Sequence, residues 1–222
     1  MRASGSRSVR AAAAVVWLGA VIGVLACGGG AERSPSTTSA AVVGQVPASR
    51  GGLDCVGHAA PAWGEMDWIG SEPLALEDLR GRVVLIRFWT DTCPLCRATA
   101  PALVEIDAEY RERGVTVIGM YHPKPRGTTR SLAEIAAVRD EYGWGFPVAV
   151  DSSWAVLDAF WLAHGSRDYT SVSFVLDRRG VVRYVHPGGE YHPGGPSDHE
   201  ACRRDYADVR AALEALLAEP RA

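Results

Sequence analysis

Cys93 and Cys96 stand two residues apart in the run Phe88-Trp89-Thr90-Asp91-Thr92-Cys93-Pro94-Leu95-Cys96. Sulfurs at that spacing can make and break one short disulfide, or supply half of a tetrahedral zinc site. Zinc would need a second pair of ligands, and no second CxxC occurs in the 222 residues. The pair is therefore read as a redox dithiol. If a helix starts at Pro94, its unpaired N–H groups and dipole stabilise a thiolate on the first cysteine. The second cysteine then lies within the first turn, in reach of a mixed disulfide formed by the first. This predicts Cys93 as nucleophile and Cys96 as the thiol that resolves the intermediate. The exchange runs on two sulfur atoms, so no cofactor and no metal is assigned.

The elements needed to hold that geometry are legible on either side. Val83-Val84-Leu85-Ile86-Arg87-Phe88-Trp89 is a nearly continuous apolar run, which suits a strand buried on both faces. Pro94 suits the first turn of a helix, and Ala100, Leu103, Val104, Ile106 and Tyr110 continue with helical spacing to Gly114. Val115 to Met120 reads as a second buried strand, so residues 83–120 form one βαβ unit with Cys93 at the strand-to-helix junction. Downstream, helical spacing over 131–142 is followed by a strand at 146–151. Ser152 or Ser153 is expected to cap a further helix reaching about Ala163. Two strands at 172–177 and 181–186 flank the turn Asp177-Arg178-Arg179-Gly180, and a closing amphipathic helix spans 205–218. The predicted class is α/β, a mixed central sheet flanked by helices.

The start of the chain bears on where this chemistry operates. Arg2, Arg7 and Arg10 precede an uncharged apolar run of 16 residues, Ala11 to Ala26, and Cys27 is followed by three glycines. That order reads as a secretory signal over 1–26. Val24-Leu25-Ala26-Cys27 resembles a bacterial lipobox, which implies lipidation at Cys27; an ordinary cleaved signal or a short uncleaved anchor is the alternative. Residues 27–52, rich in Gly, Ser, Thr, Pro and Ala, are expected to form a flexible tether, and 53–222 the folded domain. The net charge is −3, and about −6 once the three leader arginines are removed, which argues against nucleic acid as a partner. The chain is expected to be an extracytoplasmic, membrane-anchored lipoprotein facing the periplasm.

Taking Cys27 as the lipid site leaves Cys55 and Cys202 beside the dithiol, one before the first strand and one near the last helix. An oxidising compartment favours a structural disulfide between them, with two free or separately used thiols as the alternative. His186-Pro187-Gly188-Gly189 and His192-Pro193-Gly194-Gly195 repeat a short pattern, followed by His199, with Glu190 and Asp198 nearby. Their spacing matches no standard metal site, so they are read as an irregular solvated loop, with copper or zinc binding by the histidines and carboxylates as the alternative. His122 follows a strand at its C-terminal end, where ligands gather in open α/β sheets, but it is read as a loop residue. Trp144, Trp154, Phe160 and Trp161 are read as core.

The run Phe88 to Cys96 with Pro101, preceded by Leu79-Arg80-Gly81-Arg82-Val83-Val84 and followed by Phe174-Val175-Leu176-Asp177-Arg178-Arg179-Gly180, resembles the TlpA/ResA-like redoxins. It is also similar to the redoxin domain fused to some cytochrome-biogenesis-type electron transporters. The resemblance covers roughly residues 60 to 218 by the motif reading. It implies a thioredoxin-like fold and thiol-disulfide exchange with client proteins, possible roles including cytochrome c maturation, and a membrane electron donor for regeneration. It implies a client groove at Trp89, Thr92, Pro94, Leu95, Thr170 and Ser171. Four positions depart from the family pattern. Thr92 stands where many members have Trp, Ser171 where a cis-proline is usual, Thr99 where ResA-like proteins have Glu, and Arg87 where thioredoxins often have a buried acid. A guanidinium cannot serve as a base near neutral pH. Arg87 either lowers a neighbouring thiol pKa, reaches the sheet edge or pairs with an acid, and Asp91 is the acid nearest in sequence for proton transfer. Two other functions share the fold. A peroxidase needs a Pro…Thr-x-x-Cys setting, of which Thr90-x-x-Cys93 supplies the second half only. A Sco-like copper chaperone uses CxxxC and a distant histidine, for which His164 and the loop bearing His186, His192 and His199 are the candidates.

Overall fold

The computed structural model describes residues 44–221. In chain order it contains β1 (Asp67–Ile69), β2 (Val83–Trp89), α1 (Pro94–Tyr110), β3 (Val115–Tyr121), α2 (Leu132–Glu141) and β4 (Val148–Val150). There follow α3 (Ala155–Phe160), β5 (Ser173–Leu176), β6 (Val182–His186) and α4 (Glu200–Ala218). The six strands form one mixed sheet in the order β1-β4-β3-β2-β5-β6. β2, β3 and β4 run parallel, while β1, β5 and β6 are antiparallel to their neighbours. Every residue of β2 is buried, as its unbroken apolar run requires of a strand covered on both faces.

Because side chains alternate along a strand, β2 feeds two separate cores. Val83, Leu85 and Trp89 pack with α1, α2 and α4 on one face, and Val84, Ile86 and Phe88 pack with α3 on the other. Trp144, Trp154, Phe160 and Trp161 are all buried within these cores. Arg87 belongs by this alternation to the α1 face, which places a guanidinium inside the core directly under the dithiol helix.

Several local expectations are corrected. β1 was not anticipated; three residues are too few to show a period, and pairing with β4 alone makes it a strand. α4 begins at Glu200, ahead of the predicted Asp205. α3 is capped by the carboxylate of Asp151, which accepts from the Leu157 N–H at 2.9 Å, while Ser153 Oγ accepts only from Ala155 N–H at 3.3 Å. The tether was expected to run to residue 52, yet its last residues are docked. Ser49 Oγ accepts from the Val185 N–H at 2.8 Å, Arg50 pairs with Asp205 and Asp208, and Gly52 lies against Trp161 and Val185.

The expected Cys55–Cys202 disulfide is not formed, and both thiols are free. Cys55 is buried on the α3 face with its sulfur toward the Phe160 carbonyl, whereas Cys202 sits in the first turn of α4, on the other face, beside Glu190. The sheet separates them. Among the described residues no helix is long and apolar enough to cross a membrane. The expected signal at 1–26 and lipid site at Cys27 lie outside the described residues.

Candidate active site

Cys93 is the N-cap of α1. Its backbone is extended (φ −91°, ψ 114°), and its sulfur accepts from the Cys96 N–H at 3.4 Å, doing for the helix what a serine cap does. Pro94 occupies the first turn, where its missing N–H costs no hydrogen bond. Cys93 is half-buried and Cys96 is buried, so one sulfur faces outward and the other waits behind it. The Cys93 thiol pKa is lowered to about 5, chiefly by the hydrogen bond from Cys96, with the N–H groups of Cys96 and Leu95 and the charge of Arg87 adding to it. The Cys96 thiol is pushed up, first by its bond to Cys93 and then by burial. The two shifts run in opposite directions, favouring an ionised Cys93 beside a protonated Cys96.

Behind the sulfurs, Arg87 is fully buried. One of its terminal nitrogens donates to the Gly189 carbonyl at 2.8 Å, the other to Ser173 Oγ at 3.3 Å, and the guanidinium lies over the Tyr191 ring. No carboxylate pairs with it among the described residues, and its Nε has no partner. Its positive charge therefore acts on the sulfurs without local neutralisation. It favours the thiolate of both Cys93 and Cys96. Thr99 Oγ1 accepts from the Tyr191 N–H at 3.3 Å and donates to the Leu95 carbonyl at 2.9 Å, tying the 187–199 loop to the first turns of α1.

In front of the sulfurs, a groove of about 440 Å³ is lined by the 90–95 turn, Lys124 and the segment Asp168-Tyr169-Thr170-Ser171. Tyr169 and Lys124 are exposed at its rim, while Thr170 and Ser171 form a buried wall. The backbone of this wall is anchored where the Phe88 N–H donates to the Val172 carbonyl at 2.9 Å. A larger concavity of about 880 Å³ lies at the β1 edge around Trp63, Trp68 and Asp78, and no cysteine or histidine lines it.

Residues 56–185 match the AhpC/TSA family. The chain belongs to the AhpC/TSA family. This AhpC/TSA-family chain is 30% identical over 144 residues to Protein DipZ of Mycobacterium bovis, covering 63% of this chain and 20% of that protein. It is 30% identical over 118 residues to the thiol-disulfide oxidoreductase ResA of Halalkalibacterium halodurans, covering 53% of this chain and 61% of ResA. It thus spans a fifth of the one relative and less than two thirds of the other. The thioredoxin-like superfamily protein SPOA0173 superposes with a TM-score of 0.58 at 25% identity, over 74% of this chain and 99% of that one. The fold is thioredoxin-like.

Within this family framework the structure sorts the residues singled out by sequence. Thr92, Pro94, Leu95, Thr170 and Ser171 meet in the groove beside Cys93. Trp89 does not. It is fully buried against Tyr121, Tyr142 and Trp144, because its place in β2 turns it into the α1 core. Asp91 is also turned away from the sulfurs. It accepts from Tyr121 OH at 3.1 Å and pairs with Arg130 at 3.1 Å, leaving no carboxylate on Cys96. Arg87 reaches neither a sheet edge nor an acid among the described residues. His164 lies beside Asp54 on the Cys55 side of the molecule. His122 is buried against Trp154 with both ring nitrogens unpartnered, and burial lowers its pKa to about 3, so it is a neutral core residue. Sequence reading missed Lys124, Asp168 and Tyr169; the rim position of the last two follows from where β5 enters the sheet, for which the chain carries no local signal.

Proposed function

We propose that this protein is an extracytoplasmic thiol-disulfide oxidoreductase that exchanges disulfides with client proteins through Cys93 and Cys96. The observation that carries the reading is the asymmetry of the pair, with a lowered, half-exposed Cys93 capping α1 and a raised, buried Cys96 behind it. The Cys93 thiolate attacks one sulfur of a client disulfide, forming a mixed disulfide and releasing a client thiolate that takes a proton from solvent. Cys93 then no longer carries charge. The influence that held the Cys96 proton is gone, while the Arg87 charge remains and favours ionisation of Cys96. Cys96 loses its proton and attacks Cys93 Sγ, closing the Cys93–Cys96 disulfide and expelling the second client thiolate. Two electrons and the Cys96 proton leave the dithiol, the second proton taken up by the client comes from solvent, and an external dithiol donor at the membrane restores the starting state.

The leader and the cysteine at position 27 support operation outside the cytoplasm on a lipid anchor. The names of relatives, among them ResA, support the reaction class. The groove, with Tyr169 and Lys124 at its rim and backbone along 168–171, suits an extended client segment. The test is insulin reduction by the full-length chain under a thiol donor. Cys93→Ser abolishes turnover, and Cys96→Ser accumulates a client mixed disulfide on Cys93 that is visible on non-reducing gels. Retained turnover in Cys93→Ser overturns the reading, as does reduction of hydrogen peroxide by the wild type at a rate exceeding its reduction of protein disulfides.

A further inference from the structure

The loop joining β6 to α4 is closed by four side chains that the dithiol chemistry leaves unused. Glu190, His192, His199 and Cys202 each present one ligand atom, and the four atoms lie within 4.8 Å of one another. His199 Nδ1 is 3.1 Å from His192 Nε2 and 3.9 Å from Glu190 Oε1, and Cys202 Sγ is 3.7 Å from the same oxygen. With Zn–N near 2.0 Å and Zn–S near 2.3 Å, the edges of a tetrahedral site run about 3.3 to 3.8 Å. Three of the six separations, at 3.1 to 3.9 Å, are near those of a coordination shell, and small side-chain shifts would bring the rest in from within 4.8 Å.

Local structure prepares the set. The Gly194 carbonyl, which can only accept, lies 2.8 Å from His192 Nδ1, so that nitrogen carries the proton and Nε2 directs its lone pair toward His199. Gly195 has φ +93°, and a Cβ there would come within 2.7 Å of His192 Cε1 and 3.1 Å of His199 Nδ1. The close approach of the two imidazoles therefore depends on glycine. His199 and Cys202 sit one turn apart at the start of α4, and Arg203 donates to the carbonyls of Pro196 and Ser197, fastening the loop to that turn. The Cys202 thiol and the Glu190 carboxylate stand side by side.

We propose that Glu190, His192, His199 and Cys202 form a tetrahedral site for a divalent ion of the Zn2+ class. One thiolate, two imidazoles and one carboxylate suit Zn2+, whereas Mg2+ and Ca2+ prefer all-oxygen shells. On binding, the Cys202 thiol gives its proton to solvent and the sulfur ligates as thiolate, with no change in oxidation state. The ion fixes the loop that supplies the Gly189 carbonyl to Arg87 and the Tyr191 N–H to Thr99, and so secures the back wall of the dithiol.

The experiment uses the full-length chain carrying Cys93→Ser and Cys96→Ser, which removes the competing dithiol. Zn2+ is titrated against a chromophoric chelator, and Co2+ serves as the spectroscopic probe. One equivalent binds, Co2+ shows a thiolate charge-transfer band with tetrahedral d–d intensity, and Zn2+ raises the thermal midpoint. Adding His192→Ala weakens binding at least tenfold, and adding Cys202→Ser removes the charge-transfer band, while the circular dichroism of both variants without metal matches the parent. Absence of saturable binding overturns the proposal. So does binding that survives both substitutions, or binding abolished by Cys55→Ala, which would assign the ion to Asp54, Cys55 and His164.

Discussion

A guanidinium buried without a carboxylate beside it is costly, and at Arg87 that cost is spent next to two sulfurs. Arg87→Met removes the charge and keeps most of the volume. The Cys93 pKa then rises, and the alkylation rate at pH 4, below the midpoint, falls by up to about tenfold, the factor one pKa unit carries. Iodoacetamide alkylation followed against pH gives the midpoint directly, and an unchanged midpoint removes Arg87 from the electrostatics of the site. The thiol shifts also set how stability depends on pH. Because the folded pKa of Cys93 is lowered, its contribution is fully present above the unfolded thiol value of about 8.5 and is lost as pH falls through about 5. The raised Cys96 has the opposite sign and loses its contribution as pH climbs above the unfolded value. The thermal midpoint of the reduced protein is therefore expected to rise from pH 5 to pH 8, and Cys93→Ser flattens that rise. A reduced wild type whose slope equals that of the variant contradicts the assignment.

At the scale of elements, the parts that local spacing governs were legible in advance. β2, α1 and β3 fall where an apolar run, a first-turn proline and a second apolar run place them. What local spacing missed depended on a partner distant in space. β1 exists through β4, and α3 takes its cap from Asp151 at the end of β4 in preference to the serines beside it. Asp151→Ala should therefore destabilise the protein by about 1 to 2 kcal/mol in urea, and Ser153→Ala by under about 0.5 kcal/mol. Equal effects would return the cap to the serine.

At the scale of the folded unit, the segment before Leu53 belongs to the domain. Ser49→Ala leaves the buried Val185 N–H in β6 without a partner, which costs about 1 to 3 kcal/mol. A lower urea midpoint with an unchanged m-value checks this, and an unaltered midpoint shows residues 44–52 to be dispensable. The sequence by itself determined the dithiol, its helix start and the βαβ frame, because thiol spacing, caps and hydrophobic period are properties of neighbouring residues. It also held all four members of the cluster at Glu190, His192, His199 and Cys202, but not their meeting. Only the tertiary structure decided that Cys55 and Cys202 lie on opposite faces of the sheet. The same holds for Arg87 lying unpaired under the sulfurs, for Asp91 turning to Arg130 and for the groove closing with Tyr169. Each of these depends on which strands pair and which face a side chain enters, and that is settled by packing between segments far apart in the chain.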